Sequence, residues 1–164
     1  MKILIISDSH NNQKLLRKQM TLDVNYEVVF HLGDYFGDLD ENYDLIENKK
    51  YYHVPGIITL DYLSRNKFPW IKFELEGWKF LLVHDRNNVP NDLEDVNIVC
   101  FGHTHKPELY KEQNTIFINP GHSKKTYDRG FTASHIMLDL SPKEAIVEFL
   151  TYEGDVFNRI NVTK

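Results

Sequence analysis

The chain opens with a short apolar run, Ile3 to Ile6, that breaks into Ser7-Asp8-Ser9-His10. Such a run reads as a buried strand feeding a loop. Asn11 or Asn12 can then cap a helix that carries Leu15, Leu16, Met20 and Leu22 on one broad face. Val28-Val29-Phe30 repeats the strand pattern and also ends in a polar loop, His31-Leu32-Gly33-Asp34. A polar helix is expected between Leu39 and Asn48. A third short strand, Tyr51 to Val54, is stopped by Pro55-Gly56. From Trp70 the texture changes. Trp70 to Leu75 partly alternates, Glu76-Gly77 supplies a turn, and Trp78 to His84 follows, which predicts a hairpin. Asn97 to Phe101 reads as a strand ending in Gly102-His103-Thr104-His105. Leu109 to Lys111 and Thr115 to Asn119 predict a second hairpin around Gln113-Asn114. A polar loop runs from Pro120-Gly121 to about Thr132. Ser134 to Leu140 and Ala145 to Leu150 then flank a Ser141-Pro142 turn, and Val156 to Val162 adds an edge strand.

Strand and helix alternate in the first half, which predicts parallel pairing there; the hairpins predict antiparallel pairing in the second half. No repeat, low-complexity segment or linker interrupts the chain, so one α/β domain over residues 1–164 with mixed sheets is expected. Composition adds limits. Hydrophobic residues make up 41% and charged residues 26%, a globular mix. The net charge of −5 argues against a broad nucleic-acid footprint, which needs a basic face. It leaves a small phosphate substrate open, because bound metal ions reverse the local charge. The single cysteine, Cys100, forms no disulfide within the chain and fits a reducing compartment. The apolar start is shorter than the about 7–15 residues of a secretory signal and the roughly 20 of a spanning helix. A cytoplasmic protein with no membrane partner is the expectation.

The polar residues fall at strand ends. Asp8 and His10 follow the first strand, Asp34 the second, His84 the hairpin strand, and His103 and His105 the next. Ligands of α/β sheets collect outside the carboxyl ends of strands, so these side chains can converge on one crevice. Carboxylate oxygen mixed with imidazole nitrogen suits Mn, Fe, Zn, Ni or Co better than Mg or Ca. Six ligands exceed the needs of one tetrahedral ion with an open position and suit two ions about 3.5–4 Å apart. Each piece has a plain structural alternative. Asp8 and His10 can be a turn and cap, Gly33-Asp34 an ordinary turn, and His84 a satisfied core histidine. Their recurrence after separate strands is what argues for metal.

The chain resembles the small bacterial and archaeal calcineurin-like metallophosphoesterases. The matching text is Ile6-Ser7-Asp8-Ser9-His10, His31-Leu32-Gly33-Asp34, Leu81-Leu82-Val83-His84, Gly102-His103-Thr104-His105 and Asn119-Pro120-Gly121. The resemblance implies a four-layer α/β/β/α sandwich of two mixed sheets flanked by helices, with two divalent metal ions between the sheets. It implies that Asp8, His10 and His105 hold the first ion, that His84 and His103 hold the second, and that Asp34 bridges them. Mn is the default ion, and Ni, Fe, Zn or Co are also compatible. The implied reaction is hydrolysis of a small phosphate ester, a diester rather than a monoester, by a metal-bridging hydroxide. A homodimer is a further expectation from the resemblance.

Three positions depart from the family text. Ile57 stands where family members carry an Asn ligand to the second ion, and Thr59, Asp61 or water could fill the gap. Asp85 replaces the glycine after His84 and reads as a ligand, an orienting partner or a solvated loop residue. His122 replaces a small residue after Asn119-Pro120-Gly121. Candidate substrate contacts are Arg86, His122 and Arg129, with Lys124 and Lys125 nearby and Tyr35 and Phe36 flanking Asp34; routine charges on a solvated loop are the alternative. His31 is expected as a buried strand-end residue, and His53 and His135 carry no functional expectation. Because the departures cluster on the second-metal side, a second class of function stays open. It is a phosphoesterase fold that serves as a binding module with a metal-site remnant, as in the phosphoesterase-like subunit of the retromer coat.

Overall fold

A computed structural model describes residues 1–35, 37–56 and 69–164. Phe36, Ile57, Thr59 and Asp61 lie outside the described residues. Strands β1 (Lys2–Ile6), β2 (Val28–His31) and β3 (Lys50–His53) pair in parallel. They continue into an antiparallel set, β11 (Ser134–Leu140), β12 (Glu144–Thr151) and β13 (Val156–Thr163), giving a first sheet ordered β13-β12-β11-β1-β2-β3. The second sheet is ordered β4-β5-β6-β8-β7, from β4 (Trp70–Leu75), β5 (Trp78–Val83), β6 (Ile98–Cys100), β7 (Pro107–Glu112) and β8 (Thr115–Pro120).

Both expected hairpins form. Leu75 pairs with Trp78 across a turn in which Glu76 and Gly77 have φ of 49° and 74°, the backbone a two-residue hairpin turn requires. Glu112 pairs with Thr115 around Gln113-Asn114. The second half is not wholly antiparallel, however. β5, β6 and β8 run parallel, because the connections 84–97 and 101–114 return the chain to the same sheet end.

Alternation along the strands sets the layers. Ile3, Ile5, Val28, Phe30, Leu138 and Val147 of the first sheet meet Trp78, Phe80, Leu82, Ile98 and Ile118 of the second in one buried core. At its centre Phe30 lies edge-on to Tyr52, Phe73 and Phe80, with centroids 5.8, 5.3 and 5.3 Å away. The other face of the first sheet, Leu4, Ile6 and Val29, is covered by Leu16 and Met20 of helix α1 (Gln13–Leu22). Asn12 caps α1, its Oδ1 accepting from Leu15 N at 3.2 Å. Leu22 does not join the buried face and is 38% exposed; Gln19 is buried in its place and accepts from Ser123 Oγ at 2.5 Å. The expected helix over 39–48 is broken at Asn42 into one-turn helices α2 (Asp38–Glu41) and α3 (Tyr43–Ile46).

The outer face of the second sheet, Leu81, Val83, Val99, Phe101 and Phe117, is covered by Val89, Leu93 and Val96. Among the described residues the helical element of this cover is a single 3₁₀ turn at Arg86–Asn88, so the fourth layer is largely irregular. The loop after Pro120-Gly121 holds an unforeseen ribbon, β9 (Tyr127–Asp128) paired with β10 (Phe131–Thr132). No helix among the described residues is long and apolar enough to cross a membrane.

Candidate metal centre

β1 and β2 end side by side in one sheet, β5 and β6 side by side in the other. Their carboxyl ends therefore face each other across the top of the core. Asp8, His10, Asp34, His103 and His105 all take left-handed backbone, with φ of 55°, 47°, 82°, 66° and 65°. These turns aim the side chains back over the strand ends. The two sheets are tied together here by His84 Nδ1 donating to Leu32 O at 2.7 Å and His103 N to Asp8 Oδ2 at 3.0 Å, while Gly102 N donates to His84 O at 2.9 Å within the second sheet.

One donor atom from each of Asp8, His10, Asp34 and His105 lies within 4.8 Å of the others. His10 Nε2 is 2.6 Å from Asp34 Oδ2 and 3.2 Å from His105 Nε2; His105 Nε2 is 3.3 Å from Asp8 Oδ1. The other oxygen of Asp34, Oδ1, faces His84 Nε2 at 3.9 Å. His84 and His103 meet edge to face, centroids 5.3 Å apart. Asp34 thus turns one oxygen to the group holding Asp8, His10 and His105 and the other toward the His84–His103 pair.

The fit to metal can be tested on hydrogen bonding. Asp8 Oδ2 accepts from Ser7 Oγ at 2.6 Å and from His103 N, yet buried Asp8 Oδ1 has no hydrogen-bond partner. His84 donates from Nδ1 to Leu32 O, which leaves the lone pair on Nε2; that atom too is buried and without a partner, 4.0 Å from Asp8 Oδ1. Buried polar atoms are normally satisfied. Two acceptors left facing each other are what a cation between them would satisfy, so the donor set fits divalent metal.

The charges agree. Burial works against ionisation of Asp8, but the groups around it, the Ser7 hydroxyl that donates to its Oδ2 among them, bring its pKa below the ordinary carboxylate value. Burial pushes His10 down, aided by Lys124 and His105 and opposed by Asp34, so the ring favours the neutral ligand form. Burial also pushes the Cys100 thiol up, which leaves no thiolate at the end of β6.

Not every candidate reaches this place. Arg86 pairs with Glu112 at 2.5 Å, and its guanidinium lies 5.6 and 5.0 Å from the Tyr110 and Phe117 ring centres, on the outer face of the second sheet. His122 is fully buried behind His105, centroids 5.3 Å apart, with Nε2 donating to Phe131 O. Arg129 is half exposed and donates from Nη1 to His103 O at 2.7 Å, beside the cluster. Asp85 caps the 3₁₀ turn, accepting from Asn87 N. His31 is buried as expected, held by Asp38 Oδ2 at 2.7 Å.

Sequence reasoning missed Ser7 and Asp128. Asp128 Oδ2 accepts from His105 Nδ1 at 2.6 Å. Burial opposes its ionisation, but hydrogen bonds from Lys125 and His105 and the charge of Lys124 hold its carboxyl well below the usual carboxylate range. Its only signal in the sequence is one acid among Lys124, Lys125 and Arg129. Asn119, quoted for its motif, is structural: Nδ2 donates to Gly102 O and to Thr104 Oγ1, bracing the loop of His103 and His105.

Residues 1–143 match the calcineurin-like phosphoesterase superfamily domain. Phosphodiesterase MJ0936 of Methanocaldococcus jannaschii is 28% identical over 149 aligned positions, covering 74% of this chain and 83% of that one. A conserved Streptococcus pneumoniae protein described as a predicted phosphoesterase superposes with a TM-score of 0.74 at 22% identity, over 99% of this chain and 97% of that one. Vps29 of Entamoeba histolytica, complexed with Zn²⁺, gives 0.70 at 22% identity over 99% of both chains. With its strand-end donors and two mixed sheets, the chain belongs to the calcineurin-like phosphoesterase superfamily.

Proposed function

We propose that this chain is a metal-dependent phosphoesterase with a dinuclear centre that hydrolyses small phosphate esters, diesters in preference to monoesters. The observation that carries the reading is Asp34, whose two carboxylate oxygens face the two halves of the donor cluster, 2.6 Å from His10 Nε2 and 3.9 Å from His84 Nε2. Asp8, His10 and His105 would hold the first ion, His84 and His103 the second, with Asp34 shared. Bound divalent ions, Mn by default, supply Lewis-acid polarisation of the ester and an acidified water as nucleophile. The chain's own groups position and screen. Ser7 and the His103 amide fix Asp8, the Leu32 carbonyl fixes His84, and Arg129 offers its remaining guanidinium N–H groups to a phosphate oxygen. No side-chain nucleophile is required, in keeping with the buried, protonated Cys100 thiol. The diester preference is supported by the likeness to a phosphodiesterase. The reading includes a cytoplasmic location, and a homodimer is compatible with it.

The test is hydrolysis of bis-p-nitrophenyl phosphate by chelator-stripped protein, with and without Mn²⁺, beside Asp34→Ala. Activity that returns with metal and is lost in the variant is expected, since the bridge serves both ions. Folded protein inactive with every divalent ion tried would defeat the enzyme reading. It would favour the second reading, a binding module with a metal-site remnant. That reading is supported by Ile57 in place of the Asn of similar proteins and by the likeness to Vps29.

A further inference from the structure

The segment from His122 to Thr132 is bound to the ligand loops at successive points. Ser123 N donates to Ser7 O and Asp8 O at 3.0 and 3.2 Å. Lys124 O accepts from Asn12 Nδ2 at 2.7 Å, next to the loop of His10. Arg129 closes the β9–β10 turn with φ of 49° and donates to His103 O. In the middle of this strap Asp128, 7% exposed, turns inward to His105. Its Oδ2 takes the Nδ1–H of the imidazole at 2.6 Å, and its Oδ1 is 3.0 Å from Lys125 Nζ. Lys124 Nζ and Arg129 Nε stand 3.9 Å from Oδ2.

Two consequences follow from chemistry. A neutral imidazole that donates from Nδ1 carries its lone pair on Nε2. The Nε2 of His105 is the atom that faces Asp8 Oδ1 and His10 Nε2. A carboxylate behind a ligating imidazole also fixes the ring plane and raises its basicity. The surrounding cations hold Asp128 in place from the solvent side, so the carboxylate cannot swing away from the ring without breaking contacts to Lys125 and its neighbours. We propose that Asp128 is a positioning residue: it holds His105 in the Nε2-ligand tautomer and thereby sets the metal affinity of the half-site formed with Asp8, His10 and Asp34. The proposal rests on the metal-holding reading of the cluster and is independent of whether the bound protein hydrolyses anything.

The experiment uses the full chain, with Zn²⁺ alone as probe. Zn²⁺ affinity is measured by competition with a chromophoric chelator for the parent, Asp128→Ala and Asp128→Asn. The tautomer of His105 is read in the metal-free proteins by ¹⁵N-histidine spectra, the resonance being assigned by its loss in His105→Gln. Asp128→Ala is expected to weaken Zn²⁺ binding by about 10–100-fold, the usual range for such partners, and to release the proton from Nδ1. Asp128→Asn fills the same space without the charge, is the variant of record if the alanine protein does not fold, and is expected to weaken binding about 10-fold by the same principle. Asp128→Glu should recover part of the loss. Affinity within twofold of the parent in both variants, a parent His105 protonated on Nε2, or a parent that binds no Zn²⁺ each overturns the proposal. A parent that binds Zn²⁺ with the expected tautomer but hydrolyses no ester leaves it standing and defeats the enzyme reading instead.

Discussion

His135, on β11, is buried to 1% exposure, its Nδ1 has no hydrogen-bond partner, and burial pushes its pKa down to about 4. The folded protein refuses a proton that the unfolded chain accepts near the ordinary histidine value. Stability is therefore complete above about pH 6.5 and falls as pH drops toward 4, by about 3 kcal/mol in all. Denaturant unfolding at a series of pH values should show this slope, and His135→Leu should flatten it; a slope unchanged in the variant would place the titration elsewhere. Gly102 gives a second prediction. A Cβ there would lie 2.1 Å from Ser7 Oγ and 2.7 Å from Asp8 Oδ2. Gly102→Ala should cost about 1–3 kcal/mol and displace the Asp8 carboxylate, so that a metal titration shows weakened binding. At this scale the four gathered donors, Asp8, His10, Asp34 and His105, were readable in the sequence, because they fall in the short polar loops that follow apolar runs. Asp128 was not. It lies 23 positions beyond His105 in the chain, and only tertiary folding brings the two together. Nor could the sequence separate Arg129 from Arg86, since the face a loop arginine covers is decided by the loop's path.

Helix α1 hangs on Asn12, which caps it and also holds Lys124 O. Asn12→Ala should cost about 1 kcal/mol for the cap and loosen the strap at the same time, visible as faster amide exchange over 122–132 than over β11. Phe30→Ala empties the aromatic centre between the sheets and should cost about 3–5 kcal/mol, measured by denaturant unfolding. The elements themselves were legible where the code is local. Hairpin turns at Glu76-Gly77 and Gln113-Asn114 name themselves, and strand runs such as Val28–Phe30 need no context. The ribbon of β9 and β10 was not legible, because two-residue strands carry no periodicity. The break at Asn42 escaped for a related reason. Asn42 Nδ2 donates to Asp38 O and to Gln13 Oε1, tertiary and local bonds that compete with a continuous helix.

The whole molecule joins two sheets through their interior faces and through the donors at one end. Metal that binds the folded chain alone should stabilise it by mass action: free Mn²⁺ at 100 times its dissociation constant should add about 2.7 kcal/mol to the unfolding free energy. Differential scanning with and without chelator checks this. A thermal midpoint indifferent to metal would mean that the cluster holds none. The α/β class and the mixed sheets could be read from the order of runs and breaks, and the family text carried the sandwich. The sheet order could not. That β6 lies between β5 and β8, with both neighbours parallel to it, depends on where irregular connections cross, and hydrophobic spacing does not record that.

Five of the six proposed metal ligands sit at left-handed φ on residues that carry a Cβ. Such backbone costs of order 1–3 kcal/mol per residue, and glycine relieves it. Durability and metal holding therefore pull in opposite directions in this protein. His103→Gly should give a metal-free protein with a higher melting point than the metal-free parent, and one that gains less from added metal. Selection for heat resistance alone would erase the centre one donor at a time and leave the sandwich intact.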